Sequence, residues 1–395
     1  MRFLGIFLGL VSIFLGFIFT LPAEQPAIDC EHIVRVAVIK QASRIKLTIR
    51  SSFKLVDLND NKELYQGRGI WYADILPGEQ GLKIGRLDFK SERIRIQPKK
   101  SPAIYLNGRK FRGTVDIIRQ SAGEILAVNH LDVEEYVRGV LSHEIAPWWP
   151  MEAIKAQAIV SRTFALYQAS VNSDKDYDLF STVYSQVYGG RTSERGRTSK
   201  AVRLTENKVL TYKDKLFPTF YHATCAGHTE RASQLWKIDL PPLRGRECQF
   251  CRRSPHFHWK KKLSLERISR ALEKAGYKIG RISSIVIEEK NVSGRVTELK
   301  ISSPGEDLRL NANRFRLAVG PNLIRSPNFS LVIQGQEAEF TGLGWGHGVG
   351  MCQWGSFFMA RKRFNAEQIL DYYYPGSRVK SLSGLIDRQG NYATF

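Results

Sequence analysis

Cysteine and methionine are scarce in this chain, with five and four among 395 residues. An odd, widely spaced set of cysteines does not make a disulfide framework. No segment repeats, which excludes a solenoid or propeller. No long tract is biased in composition, so no large part reads as disordered. Acidic residues are also short, 38 against 59 basic ones, giving a formal net charge of +21. Such a surface attracts polyanions: nucleic acid, anionic lipid headgroups or acidic wall polymers. The basic residues are spread along the chain and match no DNA- or RNA-binding motif, so nucleic acid is not an expected partner.

What is present begins with an apolar run from Phe3 to Leu21 behind Arg2. It lacks the polar face of a core helix. Residues 1–24 read as a secretory signal or, because no clean small-x-small site surrounds Pro22 and Ala23, as an uncleaved membrane anchor. Either places the remainder outside the cytoplasm, in a periplasm or on the outer face of the cytoplasmic membrane.

The body, residues 30–380, reads as α+β. Its N-terminal part is strand-rich: His32–Lys40, Arg44–Arg50, Phe53–Val56, Leu82–Phe89 and a second group from Ile104 to Val128. The period then becomes helical. Val133, Tyr136, Val137, Val140 and Leu141 share a face, and Asp132 with Glu135 has the form of a capping box. Pro147 ends this helix, and Pro150 opens a second, alanine-rich one to about Ala169. Residues 172–260 read as loops and short strands. A helix over Leu263–Gly276, a hairpin over Ile282–Ile301 and a helix or loop at Asn311–Val319 suggest a mixed sheet in a smaller inserted subdomain, about 235–340. Asn365 caps a last helix ending near Tyr373, and 381–395 reads as a tail.

Glu144 falls on the apolar face of the first helix, at its C-terminal end. An ionised carboxyl is costly on such a face, and the helix dipole opposes negative charge there. Trp148 and Trp149 follow at once. All three effects raise a carboxyl pKa, as a general acid at neutral pH requires. The plain alternative is a surface glutamate ending an amphipathic helix. Asp174, Asp176 and Asp178 read as solvated turn residues.

Three cysteines have metal-ligand spacing. Cys225 followed by Cys248-Gln-Phe-Cys251 suits a structural tetrahedral zinc with a histidine as fourth ligand. His256 is the first choice, with His222 and His228 as alternatives. Free thiols or a local Cys248–Cys251 disulfide remain the other reading. The Gly344–Gly350 run is followed by no Lys-Ser/Thr, so it is not a phosphate loop. It reads as the wall of a substrate cleft.

Four ordered blocks carry a resemblance. They are Leu131–Tyr167, with Glu135-Tyr136, Gly139-Val140, Glu144, Pro147, Pro150, Gln157 and Ser161-Arg162-Thr163; Ser185-Gln186-Val187-Tyr188; Phe220-Tyr221-His222 through Cys225, Gly227 and Thr229; and Gly344 through His347, Met351, Gln353 and Gly355. Ile369 to Gly376 agrees as well. Over roughly residues 33–380 the chain resembles the SpoIID family of peptidoglycan lytic transglycosylases. The resemblance implies cleavage of the β-1,4 bond between N-acetylmuramic acid and N-acetylglucosamine, leaving a 1,6-anhydro ring. A hydrolase ordinarily needs two carboxylates. Here the sugar's 6-hydroxyl is the nucleophile, and one carboxyl, Glu144, acts as acid and then base. The resemblance gives Arg162, Gln186, Tyr188, His222, His347 and Gln353 supporting roles at the substrate; a structural ion pair is the other reading of Arg162, and a satisfied structural histidine that of His347. It implies glycan strands, stripped of peptide by an amidase, as substrate. It also implies the other reading, a non-catalytic glycan-binding activator of a cell-wall amidase. Some family members hold a metal just before the Gln-x-Tyr block. Ser181 to Ser185 contains no cysteine or histidine, so that site does not carry over.

Overall fold

The computed structural model describes residues 32–101, 103–121, 123–183, 185–385 and 392–395. The N-terminal signal or anchor and Cys30 lie outside the described residues, and the C-terminal tail lies partly outside them.

Alternating apolar residues build two sheets that share one core. The larger has seven strands in the order Leu179–Phe180, Ile33–Ala42, Glu124–Asp132, Thr114–Gln120, Arg93–Pro98, Phe53–Asp57 and Glu63–Gly67. Its ladders are antiparallel except where Leu179–Phe180 runs parallel to Ile33–Ala42. The second has six short strands, centred on Ile45–Ile49 and Ile70–Pro77. Ile45, Leu47 and Ile49 of one sheet and Val34, Val36, Val115 and Ile117 of the other are fully buried in the same cluster. Period-two burial of one face is what the sequence alternation dictates.

Among the described residues seven α-helices follow: α1 Val133–Glu144, α2 Met151–Val171, α3 Gly196–Leu204, α4 Leu265–Lys274, α5 Ala312–Val319, α6 Gln353–Arg361 and α7 Ala366–Tyr373. Asp132 caps α1 through Glu134 N–H. The reciprocal half of the expected box is missing, because Glu135 turns to Arg112 at 3.3 Å. α7 has the complete box between Asn365 and Gln368. α2 is buried over most of its length, and its alanines let α1, α3, α6 and α7 approach it. Among the described residues no helix is long and apolar enough to cross a membrane.

The inserted lobe has its own core, from Trp259 to Phe340. Two three-stranded sheets form it: His258–Ser264 with Glu337–Leu343 and Phe329–Gln334, and Ser284–Lys290 with Val296–Ser303 and Glu306–Asn311. Residues 235–257 pack elsewhere. Trp236, Leu243, Cys248 and Cys251 join the core beneath α2, α6 and α7. The lobe therefore starts at His258 rather than near 235. It is attached at its neck, at a turn beyond Lys290, and through Arg325, whose carbonyl accepts from Gly346 N–H at 2.8 Å. At its neck, Gly344 N–H donates to Phe257 O at 2.8 Å. At the turn after Lys290, Arg295 donates to Cys225 O and His228 O, both at 2.9 Å, while Asn291 and Ser293 hold Glu230.

The described end of the tail is packed as well. Thr394 bridges Leu216, and Phe395 N–H donates to Leu216 O. Asp178 is not a solvated turn residue. It is buried and accepts from the Arg35 backbone and guanidinium at 2.5–2.9 Å.

Candidate functional site

Glu144 is the last residue of α1, half-buried, with Ile145 as the C-cap. Its Oε1 accepts from Val187 N–H at 3.1 Å. Its own carbonyl is one of the orphan acceptors of a helix C-terminus. Gln353 Nε2 satisfies it at 2.9 Å and also reaches Gln157 Oε1 at 3.2 Å. The first residue of α6 thus holds the end of α1. Desolvation pushes the Glu144 pKa up from 4.5 to about 7. The Val187 N–H and the Tyr221 hydroxyl bond the carboxylate and pull the other way. Among the described residues, no second carboxylate acts on it.

Tyr221 closes a chain of hydrogen bonds. Tyr136 Oη donates to Gln186 Oε1 at 3.0 Å, and Gln186 Nε2 donates to Tyr221 Oη at 3.2 Å. With its lone pair so engaged, the Tyr221 hydroxyl proton is free to face Glu144. The short strand Tyr221–His222 pairs in parallel with Met351–Cys352. Alternation along it sends Tyr221 and His222 to opposite sides. Tyr221 is quoted in the sequence blocks above without a role. That alternation is the signal that separates it from His222.

His222 is buried, and its Nδ1 lies 3.1 Å from Val349 O. A carbonyl only accepts, so Nδ1 carries the proton and Nε2 keeps its lone pair. That Nε2 is buried without a hydrogen-bond partner. Burial, then the nearby Arg295 charge, holds the His222 pKa down to about 3. His347 Nδ1 accepts from Val349 N–H at 3.1 Å, and burial keeps this ring neutral too. The two rings sit 5.8 Å apart. The Gly344–Gly350 run makes this possible. A Cβ on Gly346, whose φ is +109°, would meet His222 Cβ at 2.7 Å.

Two residues expected at the substrate are structural. Arg162 is fully buried and forms a bidentate pair with Glu134 at 2.6 and 2.7 Å, plus a bond to Lys208 O. Tyr188 is 1% exposed, donates to Asn129 Oδ1 at 2.9 Å, and lies against Gly139. Neither has a free polar group to offer a ligand. Gln186 and Gln353 are also nearly buried, and they act through Tyr221 and the end of α1. The two tryptophans divide. Trp149 is buried against Trp354 and Phe357, while Trp148 is 66% exposed with its edge on Phe357.

The cysteines gather, with one change of membership. Cys225, Cys248, Cys251 and Cys352 place their sulfurs within 4.8 Å of one another, all buried. His256 is not among them. Its ring packs edge-on against Trp345, with centroids 4.7 Å apart. His228 Nδ1 faces Thr229 O instead.

Comparison with known proteins places this geometry. The family described as Stage II sporulation protein, SpoIID, matches residues 121–212, the stretch holding Glu144, Gln186 and Arg162. A domain of unknown function matches residues 246–350, covering the inserted lobe. An uncharacterised protein of Brachyspira hyodysenteriae is 31% identical over 88% of this chain and 92% of its own length. Stage II sporulation protein D of Bacillus subtilis is 26% identical over 66% of this chain and 78% of its own. The amidase enhancer of the same organism is 25% identical, over 77% of this chain and 50% of its own. The matched helices carry the glutamate at the centre of the site, and the similarity runs well beyond them: the chain belongs to the SpoIID family.

Proposed function

We propose that the protein is a lytic transglycosylase of peptidoglycan glycan strands, with Glu144 as its single acid and base. The observation that carries this reading is a lone carboxyl, raised to about 7, held by a backbone N–H and a tyrosine hydroxyl with no carboxylate partner. Such a group is half protonated near neutral pH, where an acid catalyst works best. Glu144 gives its proton to the glycosidic oxygen as the C1–O bond breaks, releasing the 4-hydroxyl of N-acetylglucosamine. The carboxylate then takes the proton of the muramic acid 6-hydroxyl as O6 closes onto C1. No water is consumed, so no second carboxylate is needed. Val187 N–H and Tyr221 steady the carboxylate between the two transfers. The exposed face of Trp148, close after Glu144 in the chain, offers a flat apolar surface to a sugar ring.

The charge of +21 supports attraction to wall polymers and anionic lipid. Export to a periplasm or the outer face of the cytoplasmic membrane, through residues 1–24, is part of the same reading. The similarity to a protein named amidase enhancer supports a second one, a glycan-binding activator of a cell-wall amidase. The test is mass spectrometry of glycan strands, with and without peptides, incubated with the protein and with Glu144→Gln. Saccharides ending in 1,6-anhydro rings, made only by the unmodified protein, are the expected result. Ordinary reducing ends would mean hydrolysis. Binding by both forms without cleavage would favour the activator.

A further inference from the structure

We infer that Cys225, Cys248, Cys251 and Cys352 form a tetrathiolate zinc site that ties three distant segments of the chain together beside Glu144. The inference does not rest on the glycan-cleavage reading.

The four sulfurs converge on one point rather than pairing two by two. They lie within 4.8 Å of one another, with Cys225 and Cys251 sulfurs 3.4 Å apart. A tetrahedral zinc with bonds of about 2.3 Å sets its sulfurs about 3.8 Å apart. All four residues are 0–1% exposed. The local backbone suits metal knuckles. Cys248 and Cys251 flank the start of a single 3-10 turn, Phe250–Arg253. Cys225 is followed by Ala226 and Gly227, both at positive φ.

The surroundings donate to sulfur. Cys225 N–H and Gly355 N–H both point at Cys352 Sγ at 3.3 Å. The Tyr373 hydroxyl lies 3.2 Å from Cys248 Sγ. A neutral thiol is a weak acceptor, and several donors aimed at it suit a thiolate. The fully buried Arg295 guanidinium lies against the same loop, bonded to Cys225 O, and its Nε has no hydrogen-bond partner. Four thiolates around a divalent ion carry net charge −2, and one buried cation offsets half of that. Tetrahedral thiolate sets take zinc or iron. The set here is closed and complete, with no open position, as structural zinc sites are.

The knot bears on Glu144 from both sides. Cys352 immediately precedes Gln353, which holds the Glu144 carbonyl, and Cys225 follows the strand that carries Tyr221.

The test is elemental analysis of the full-length protein purified without chelator, joined to cobalt reconstitution. One zinc per chain is expected. The cobalt form should show intense visible bands and sulfur-to-metal charge transfer typical of four thiolates. Thiol titration should rise by four when a chelator and denaturant are added together. Cys352→Ser should lose the metal, whereas His256→Ala should keep one zinc per chain. Absence of metal, stoichiometric iron, two disulfides seen as a loss of four hydrogens in intact mass, or full zinc retention in Cys352→Ser would each overturn the inference. The first three readouts use the unmodified protein, so a Cys352 variant that fails to fold does not blunt the test.

Discussion

The two ends of α1 hold two glutamates in opposite circumstances. Glu134, in the first turn, is buried yet fully paired: Arg162 grips it with two bonds, and Asn207 N–H adds a third at 3.0 Å. The positive end of the helix dipole also favours its charge. Glu144, in the last turn, meets the negative end, has no cation beside it among the described residues, and is raised to about 7. One helix therefore carries a fully paired carboxyl that fixes architecture and another able to exchange its proton. The difference lies in partners and helix polarity, since the residue type is the same.

The comparison breaks most completely at Glu144. Glu144→Gln keeps the shape and the Val187 bond but has no proton to exchange. On the proposed reaction, its rate of anhydro-product formation falls on the order of 10⁴-fold, read by single-turnover mass spectrometry, with the fold unchanged by circular dichroism. At the other end, Arg162→Met leaves Glu134 buried without its cation. A broken buried pair costs about 3–5 kcal/mol, visible as a large drop in the denaturant midpoint. Any loss of activity there should track unfolding.

Tyr221→Phe sharpens the contrast by removing a donor that favours the Glu144 carboxylate. A hydrogen bond to a charged group is worth about 1.5–3 kcal/mol, so the alkaline limb of the pH–rate profile should move up by about one unit or more. An unchanged limb would deny Tyr221 that role. A further effect is on stability. The unfolded chain releases the Glu144 proton near 4.5, whereas the folded one keeps it to about 7. Stability from this group is thus present below about 4.5 and is lost as pH rises through 7. Glu144→Gln should melt higher than the parent at pH 8, and the gap should close at pH 5. A gap independent of pH would show that Glu144 ionises normally.

Much of this was legible in the chain. The period of α1 put Glu144 at its apolar C-terminal end, and Asn365 announced the complete cap of α7. Patterns of that kind are local, and local geometry follows from them. Partners brought from afar were not legible. Arg162 stood between a substrate contact and an ion pair, because nothing nearby in sequence reveals that Glu134 faces it across two helices. By sequence His256 is the first choice of fourth ligand, whereas the structure's fourth sulfur, Cys352, sits in the glycine block across a parallel two-stranded ladder. α3 was missed because it is only nine residues long, opens on Gly196 and buries just Thr198, Ala201 and Val202.

The attachment of the inserted lobe has a mechanical consequence. An insertion held only at its neck swings like a gate. This one is held at the neck by Phe257 and Gly344 and again at the turn that carries Arg295. A beam pinned at more than one point keeps a constant bearing. The outer face of the lobe therefore stands at a fixed reach and angle from Glu144, and a long polymer touching both would meet the carboxyl at a set position along its length.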